Sequence, residues 1–424
     1  MSGAFFFLIS EAAMTEKVLS FEDALATVLK QARGLAMPTA LEVLPLLETR
    51  GRVLGRRILA DRDQPPFDRS TRDGYAVRAA DVVAGKTLLV LGLIRAGEQW
   101  RGDALGDGQA IEIMTGAPLP AGADAVLMVE HAVLIGEELQ PLQGRSLGKG
   151  DNVVPRGAEA RNGDSLLPAS CVIEAAEIAV AASCGAARLE VFAAPRVAIV
   201  ATGDELVELG KTPEAFQIRN SNSYALAALV DDAGGDAIRL PVARDTLGDL
   251  RARIAEGRET DLLLLSGGVS MGKFDLVEQV LAESGAEFFF TGALIQPGKP
   301  IVFGRLPRKA GGWTYFFGLP GNPVSTQVCF HLFVAPMLRA LGGRTDIVPR
   351  FGEATLAENV KGGAKVTRFL PAEMTSAWDG VSVRVVGWQG SGDVAANARG
   401  NCYAVLPMGM DAFTPGETVR VLLR

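Results

Sequence analysis

The chain is poor in the residues that build zinc clusters and disulfide frameworks. Its 424 residues include only two histidines and four cysteines, and Cys171, Cys184, Cys329 and Cys402 lie far apart without C-x-x-C spacing. A zinc cluster and a disulfide-dense secreted module are therefore excluded. The pattern indicates a reduced, cytoplasmic protein.

The chain also lacks an excess of positive charge and long apolar runs. The net charge of -7 argues against a general nucleic-acid binder, which normally has a basic face. No run of about 18 apolar residues occurs, so we expect no membrane span. The short apolar run 4–9 has no basic residue before it and does not fit a signal peptide. We expect residues 1–13 to be a disordered tail or an extension ahead of a start at Met14.

Length and patterning predict several domains, because 424 residues with 48% hydrophobic content exceed one compact core. Residues 20–33 have helical apolar spacing behind Ser20 as N-cap. We predict that residues 14–60 pack with residues 151–190 as a discontinuous domain I. Residues 61–150, rich in glycine, proline and short strands, form an inserted β domain II.

The remaining chain changes pattern twice. From residue 191 to 342, buried strands alternate with helices of about ten residues, which predicts an α/β domain III with a central parallel sheet and right-handed crossovers. From residue 343 to 424 the alternation indicates a small C-terminal β-barrel or sandwich, domain IV. The fold class is thus multidomain α/β plus β.

The chain is organised around residues 262–275, LLLLSGGVSMGKFD. Four leucines predict a strand buried on both faces, and the glycine-rich turn leads into a helix that begins near Asp275. This arrangement suits a bound anion, although an ordinary tight turn with a capping Asp is equally consistent with this stretch. Ligands bind beyond the carboxyl ends of parallel strands. Four loops are predicted to meet there, at residues 202–205, 244–245, 266–275 and 319–325.

Three carboxylates are predicted at these strand ends, namely Glu205, Asp245 and Asp275. Clustered acids repel one another unless a cation or proton lies between them, and oxygen ligands suit Mg²⁺. The alternative is that each is a helix cap or a solvated loop acid, which fits Glu205 best and Asp275 least.

Two rigid loops carry further candidates. GLPGNPVS, residues 318–325, precedes a helix with Pro323 as its first residue, which would make an anion cradle. QPGKP, residues 296–300, offers Lys299 to an oxyanion, with a structural turn as the alternative. The pairs Asp73-Gly74 and Thr115-Gly116 read as plain turns.

The ordered motifs FDRSTRDGYAV, IMTGAPLPAGADAV, VATGDEL, SGGVSMGKFD, QPGKP, GLPGNPVS and QGSGDV resemble the molybdopterin molybdenumtransferase family, which includes MoeA and the gephyrin E domain. The resemblance runs from about Ser20 to the C-terminus. It implies a four-domain homodimer whose sheet domain is MogA/MoaB-like. It also implies the final step of molybdenum cofactor biosynthesis: adenylylated molybdopterin is bound, its pyrophosphate is cleaved with release of AMP, and molybdate is inserted, with Mg²⁺ required.

The resemblance also implies roles for individual residues. The catalytic set is Asp73, Thr115, Glu205, Asp245 and Asp275, with Mg²⁺ held by the last three. Asp73 and Thr115 would come from the partner chain's β domain. The implied substrate contacts are Gly203, Ser266, Gly267, Gly268, Ser270, Gly272, Pro297, Lys299, Pro320, Gly321, Asn322, Pro323, Ser325, Arg368 and Ser391, with molybdate near Pro297, Lys299, Arg368 and Ser391. Where the family often has lysine, this chain has Gln296.

Two other functions are compatible with parts of the sequence. Molybdopterin adenylyltransferase shares the sheet domain but typically has a GGTG-type loop where this chain has SGGVSMG. A non-catalytic scaffold is the second alternative. The retained acidic residues argue against a loss of catalysis. The adenylyltransferase and acceptor molybdoenzymes are expected to be transient partners.

Overall fold

The computed structural model describes residues 17–144, 146–268 and 276–424. The chain divides into two compact units. The first contains residues 17–42, Gly51–Val53 and Val191–Arg424, and the second contains Val43–Arg50 and Leu54–Glu190. The short strands Leu41–Pro45 and Arg188–Phe192 fall at the borders between the units. The division into four domains stays a prediction.

A six-stranded sheet forms the centre of the first unit. Its strands lie in the order Asp236–Arg239, Arg196–Ala201, Leu262–Ser266, Trp313–Leu319, Val302–Pro307 and Glu287–Phe290. The first four are parallel, as the strand and helix alternation predicts. Val302–Pro307, however, runs antiparallel to both of its neighbours, so the sheet is mixed.

The central strand is buried on both faces, as its four leucines predict. Leu262 and Leu264 pack into one hydrophobic core, and Leu263 and Leu265 pack into the core on the opposite face. This alternation follows from the period of two along a strand. Burial of a strand by helices on both faces is what a parallel sheet requires.

The helices of this unit connect and cover the strands. They are Asn222–Asp232, Leu247–Gly257, Leu276–Glu283, Pro323–Cys329 and Ala335–Leu341, with a π-helix, Phe330–Val334, joining the last two. The continuous stretch Pro323–Leu341 is long and apolar enough to cross a membrane, but 72% of its most apolar window is buried inside the protein. It is therefore a core helix.

The N-terminal helix, Phe21–Arg33, begins as predicted, since the Ser20 hydroxyl accepts the backbone N–H of Asp23 at 3.0 Å. Its apolar face packs on Ala335–Leu341 in the larger core of the first unit. We expected it to pack with residues 151–190, which the structure instead places in the second unit. Periodicity gives the buried face of a helix but not its partner. The preceding strand, Val18–Leu19, pairs with Gly292–Ala293.

The C-terminal region is a closed five-stranded barrel, which confirms the barrel alternative. Its strands, in order around the barrel, are Thr367–Ala377, Gly380–Val385, Phe351–Leu356, Thr418–Leu423 and Cys402–Leu406, and the last pairs back with the first. The strand Ile295–Gln296 pairs with the beginning of the first barrel strand, at Thr367 and Arg368. A two-stranded ribbon, Val360–Gly363 with Met410–Phe413, and the helix Val394–Arg399 complete it.

The second unit contains a six-stranded sheet, as the β-rich sequence predicts. Its strands are ordered Ala125–Met128, Gly74–Val77, Gln109–Ile113, Leu88–Ile94, Glu138–Pro141 and Ala132–Ile135. Two short pairs, Ile58–Leu59 with Ser165–Leu167 and Arg69–Ser70 with Val153–Val154, extend the unit. Its helical elements are Ala79–Val83, Ala175–Ser183 and the 3₁₀ turns Leu46–Thr49 and Val129–His131.

A candidate active site at the mouth of the parallel sheet

A cavity of about 580 Å³ opens beyond the carboxyl ends of the parallel strands. The four predicted loops contribute to it in their described parts. Among the predicted site residues, its lining includes Gly203, Glu205, Asp245, Ser266, Gly267, Gly268, Gly321, Asn322 and Pro323. The cavity therefore lies where the rule for parallel sheets predicts a ligand site.

Gly203 allows the Glu205 carboxylate to fold back over the end of its strand. The Gly203 φ angle is 147°, a region that side-chain-bearing residues rarely adopt. A Cβ atom at this position would lie 2.5 Å from Glu205 Oε2. The glycine is thus needed both for the backbone turn and for the space that the carboxylate occupies.

Asp245 is held in an unfavourable electrostatic environment. Partial burial in the cleft is the main cause that raises its pKa, and the nearby carboxylates of Asp204 and Glu205 raise it further. A long hydrogen bond of 3.4 Å from the Asp245 backbone N–H to Asp204 Oδ1 connects the two loops. Asp204 was not among the predicted site residues, although it lies within the quoted motif VATGDEL.

The cavity lining also contains a run of residues rich in hydrogen-bond donors. They are Arg219, Asn220, Ser221 and Asn222. The Arg219 guanidinium has no ion-pair partner in the part of the chain that the structure describes. Sequence reasoning missed these residues, because SNS is typical of an ordinary helix start. The available signal was the polar run RNSNS, which begins at the last residue of the short strand Ile218–Arg219.

Asn222 joins two of the site loops through side-chain hydrogen bonds. Its side-chain amide donates to Ser266 Oγ at 2.9 Å and to the Gly321 carbonyl at 2.7 Å, with a weaker contact of 3.3 Å to Thr326 Oγ1. The loops also touch directly, because a Cβ on Gly321 would lie 3.5 Å from the Gly267 Cα. Asn222 is therefore a positioning residue for both loops.

The two glycines after the central strand pack against Thr202. Gly267 and Gly268 have φ angles of 94° and 66°, and a Cβ on Gly267 would approach the Thr202 carbonyl oxygen to 2.6 Å. A Cβ on Gly268 would approach Thr202 Oγ1 to 2.8 Å. This hydroxyl is buried and has no hydrogen-bond partner in the described residues. Larger residues would push the loop away from the strand end.

The predicted anion cradle at Pro323 has fewer free donors than its sequence suggests. Pro323 is the first helical residue, as expected. Proline has no N–H, and the Val324 N–H donates to the Ser391 carbonyl at 2.9 Å. Ser325 is buried and Pro320 accepts a hydrogen bond from Thr326, and neither lines the cavity.

The residues predicted to bind molybdate lie in two places. Gln296 and Arg368 are directly paired between parallel strands, which places the Pro297 to Lys299 loop beside Arg368. Burial lowers the pKa of Arg368, whose Nε is buried without a partner among the described residues. Ser391 lies on the loop whose next residue, Gly392, lines the cavity. Their roles stay predictions.

Asp73 and Thr115, which read as plain turns, meet in the second unit. Their strands pair antiparallel with Gly74 opposite Ile113, so the residues flanking that pair become neighbours. Asp73 Oδ1 accepts the Thr115 N–H at 2.6 Å and the Thr115 hydroxyl at 2.8 Å. These hydrogen bonds lower the pKa of Asp73, the backbone bond contributing most.

Ser270, Gly272 and Asp275 lie outside the described residues. Within those residues, no group of three or more His, Cys, Asp or Glu side chains has the arrangement of a metal site. Glu205 and Asp245 nevertheless fit Mg²⁺, because this ion is usually held by one or two carboxylates together with substrate phosphates and water. The raised pKa of Asp245 is what a cation would relieve.

Three family descriptions match successive parts of the chain. They are the MoeA N-terminal region (domain I and II) over residues 19–185, a probable molybdopterin binding domain over residues 198–340, and the MoeA C-terminal region (domain IV) over residues 353–423. Molybdopterin molybdenumtransferase of Staphylococcus aureus (strain COL) is 32% identical over 95% of this chain and 94% of its own length. The chain belongs to the molybdopterin molybdenumtransferase family.

Further relatives agree with this assignment. The Haemophilus influenzae protein of that name is 33% identical over 95% of this chain and 98% of its own length. The crystal structure of a molybdopterin biosynthesis MoeA protein from Pyrococcus horikoshii covers 96% of this chain and 99% of its own, with a TM-score of 0.72 and 31% identity. The chain is thus a member of a transferase family, and the resemblance drawn from its motifs is confirmed.

Proposed function

We propose that this protein inserts molybdate into adenylylated molybdopterin, with cleavage of the pyrophosphate and release of AMP. The observation that carries the proposal is a cavity lined by two kinds of polar group, carboxylates and hydrogen-bond donors. Burial and the nearby carboxylates of Asp204 and Glu205 raise the pKa of Asp245, and the same cavity is lined by Asn220, Asn222 and the Arg219 guanidinium, which has no ion-pair partner among the described residues. Such a cavity can hold a divalent cation at the carboxylates and phosphate oxygens at the amide and guanidinium donors.

Glu205 and Asp245 would hold Mg²⁺, together with Asp275 as the family resemblance implies. Mg²⁺ neutralises the charge that develops on phosphoryl oxygens. The residues of this chain bind and orient the substrate. Arg219 offers a planar set of donors to the pyrophosphate. Asn222 keeps the Ser266 and Gly321 loops in register around it.

This assignment, in which carboxylates hold the metal and Arg219 and Asn222 position the substrate, suits phosphoanhydride cleavage. The reaction needs charge neutralisation and alignment more than covalent catalysis, so no nucleophilic side chain is required. We propose that a molybdate oxygen attacks the phosphorus of the adenylyl group and that the molybdopterin phosphate leaves with the bridging oxygen. Transfer of molybdenum from the resulting adenylyl molybdate to the dithiolene sulfurs would then break the molybdenum–oxygen bond and release AMP, with the thiol protons taken up by the released oxygens, which would couple cleavage to insertion. Absence of any molybdate dependence in AMP release would remove that coupling from the proposal.

We further propose that the active form is a homodimer in which Asp73 and Thr115 of one protomer complete the site of the other. The support is the resemblance stated above, together with the finding that these two residues form one hydrogen-bonded pair. Contacts with the adenylyltransferase and with acceptor molybdoenzymes are expected on the same basis.

The test is AMP release from adenylylated molybdopterin by the purified protein. Wild type, Asp245→Asn and the control Asp379→Asn, at an exposed hairpin turn of the barrel, would be compared with and without Mg²⁺ and molybdate. We expect release that needs both ions and is lost only in Asp245→Asn. No release by folded wild-type protein under any condition would favour the scaffold function.

A further inference from the structure

The barrel contributes one loop, residues 391–394, to the candidate active site, and a short helix follows this loop directly. Gly392 and Val394 line the cavity, and Asp393 is the N-cap of the helix that begins at Val394. One carboxylate oxygen of Asp393 accepts the Ala396 N–H at 2.9 Å, and the other accepts the Gln389 N–H at 3.1 Å. The loop and the first turn of the helix therefore form one hydrogen-bonded piece.

The same loop contacts the segment GLPGNPVS, which follows a strand of the central sheet. The Val324 N–H donates to the Ser391 carbonyl at 2.9 Å. A Cβ atom on Gly392 would lie 4.0 Å from Asn322 Oδ1. The position of the short barrel helix therefore determines how the loop meets the sheet end of the cavity.

Asn397, one turn further along the short helix, connects the barrel to the core helix Pro323–Cys329. This residue is 2% exposed, and its Nδ2 donates to Gln327 Oε1 at 2.9 Å. Its Oδ1 accepts Arg424 Nη2 at 2.8 Å, and its backbone carbonyl accepts Arg424 Nη1 at 2.9 Å. The Gly400 carbonyl accepts the same Nη1 at 3.1 Å. Arg424 thus holds both ends of the last helical turn.

The Arg424 guanidinium fixes the orientation of both amides in this network. Arginine can only donate, so the Asn397 oxygen must face Arg424 and the Asn397 NH₂ must face Gln327. Gln327 must then accept through Oε1. One cation therefore determines the direction of every hydrogen bond in the series.

The network lies against a dry interface. The Arg424 guanidinium stacks over the Tyr403 ring, with 4.5 Å between its central carbon and the ring centroid. Tyr403 is fully buried in the hydrophobic core that it shares with Val328 and Phe330 of the core helix. Loss of one partner would leave a buried polar group unpaired, which costs more than loss of a hydrogen bond at the surface.

We infer that Gln327, Asn397 and Arg424 are positioning residues, which hold the loop of residues 391–394 at the cavity. The consequence for molybdate insertion rests on the proposed function, because the contact of Ser391 with molybdate is itself a prediction. The position of the loop can be measured without substrate, so the two can fail separately.

Hydrogen exchange of the full-length protein, followed by mass spectrometry, measures how firmly the loop is held. Gln327→Leu removes the acceptor of the Asn397 amide, so peptides within residues 389–397 should exchange about tenfold faster. Gln327→Glu keeps an acceptor oxygen and should exchange like wild type. The matched control is Gln279→Leu, which removes a surface hydrogen bond of 2.9 Å to Glu283 and should leave these peptides unchanged. Unchanged exchange in Gln327→Leu would overturn the inference.

Two further readings separate positioning from loss of stability. Peptides from the central strand, Leu262–Ser266, should exchange alike in all variants, because the global fold is retained. Arg424→Gln removes the planar set of donors and should accelerate exchange in the same loop peptides if Gln327→Leu does not fold. Acceleration spread evenly over the loop and the central strand in both variants would show general destabilisation and contradict the positioning role.

The effect on the reaction is a change in molybdate dependence. In Gln327→Leu the molybdate concentration for half-maximal AMP release should rise by about tenfold, with the Mg²⁺ dependence unchanged, and Gln327→Glu should restore the wild-type value. A loop that exchanges faster while the molybdate dependence stays the same would contradict a role in the reaction. Loop exchange that responds as expected, in a protein whose wild type releases no AMP, would keep the inference and reject the proposed function.

Discussion

Two carboxylates predicted to serve one reaction, Asp73 in the second unit and Asp245 in the first, have opposite environments. Asp73 accepts two hydrogen bonds from Thr115, which lower its pKa. Asp245 is partly buried beside Asp204 and Glu205, which raises its pKa. Asp73 is stable as an anion without further help, whereas Asp245 gains from a cation or a proton.

This difference indicates different roles for the two carboxylates. A carboxylate already satisfied by hydrogen bonds stays ionised and is suited to orient a ligand. A carboxylate that lies beside other carboxylates, as Asp245 does, is suited to bind a metal ion. The predictions below test this separation, beginning with the largest effect.

Loss of the metal carboxylates should abolish most activity. Asp245→Asn and Glu205→Gln should each reduce AMP release by on the order of 100-fold, because metal coordination contributes several kcal/mol of charge stabilisation. Steady-state assays over a range of Mg²⁺ concentration would check this. A rate restored fully by more Mg²⁺ would mean weakened binding, and an unchanged rate would contradict the assignment.

Mixing two inactive variants should restore activity if the site is composite. A dimer of one Asp73→Asn and one Asp245→Asn protomer keeps one intact site when the residues act across the dimer. Random mixing should then give about a quarter of wild-type activity. The measurement is AMP release after co-refolding or co-expression. Activity no higher than either variant alone would place both residues within one protomer's site.

Gly203→Ala should disturb Glu205 without unfolding the protein. The new Cβ would meet the Glu205 carboxylate, and the φ angle of 147° adds strain of about 1–3 kcal/mol. We expect a lower Tm and about tenfold weaker Mg²⁺ binding. Gly210→Ala is the matched control, because its Cβ would meet nothing within 4 Å. Equal effects of both substitutions would argue against the role of Gly203.

Metal-free stability should depend on pH through Asp245. Its raised pKa means that the folded state favours the protonated form, so this stabilisation is present at low pH and is lost as pH rises through the folded pKa. At pH 7 without Mg²⁺, Asp245→Asn should therefore be slightly more stable than wild type, by less than about 1 kcal/mol. The gain should vanish at acid pH; thermal unfolding from pH 4 to 8 would show it.

The smallest effect concerns Thr115. Thr115→Ala removes the hydroxyl bond to Asp73 but keeps the backbone N–H bond, so the pKa of Asp73 should rise towards its ordinary value. Thr115→Ser should retain the lower pKa. NMR titration of the Asp73 carboxyl would measure both. An unchanged titration in Thr115→Ala would show that the hydroxyl does not matter.

The sequence predicted those parts of the site that follow from general rules for parallel sheets. The four leucines and the glycine turn located the central strand, and strand polarity brought Glu205, Asp245 and Ser266 to one edge. It did not predict that Val302–Pro307 runs antiparallel, because an apolar strand looks the same in either direction.

Contacts that depend on register or on three-dimensional position were not predictable from local pattern. Asn222 begins a helix in the sequence, yet its amide joins two distant loops. Asp73 and Thr115 are 42 residues apart and meet only because of one antiparallel register. The resemblance to the molybdopterin molybdenumtransferase family predicted that these two residues act together, whereas the local sequence pattern did not.

The most direct test of the proposed metal site is a Mg²⁺ titration by calorimetry at neutral pH, comparing wild type with Asp245→Asn and Asp73→Asn. We expect wild type and Asp73→Asn to bind Mg²⁺ alike, and Asp245→Asn to bind it at least tenfold more weakly. Equal binding by wild type and Asp245→Asn would contradict the central claim that the raised pKa of Asp245 marks the metal side of the active site.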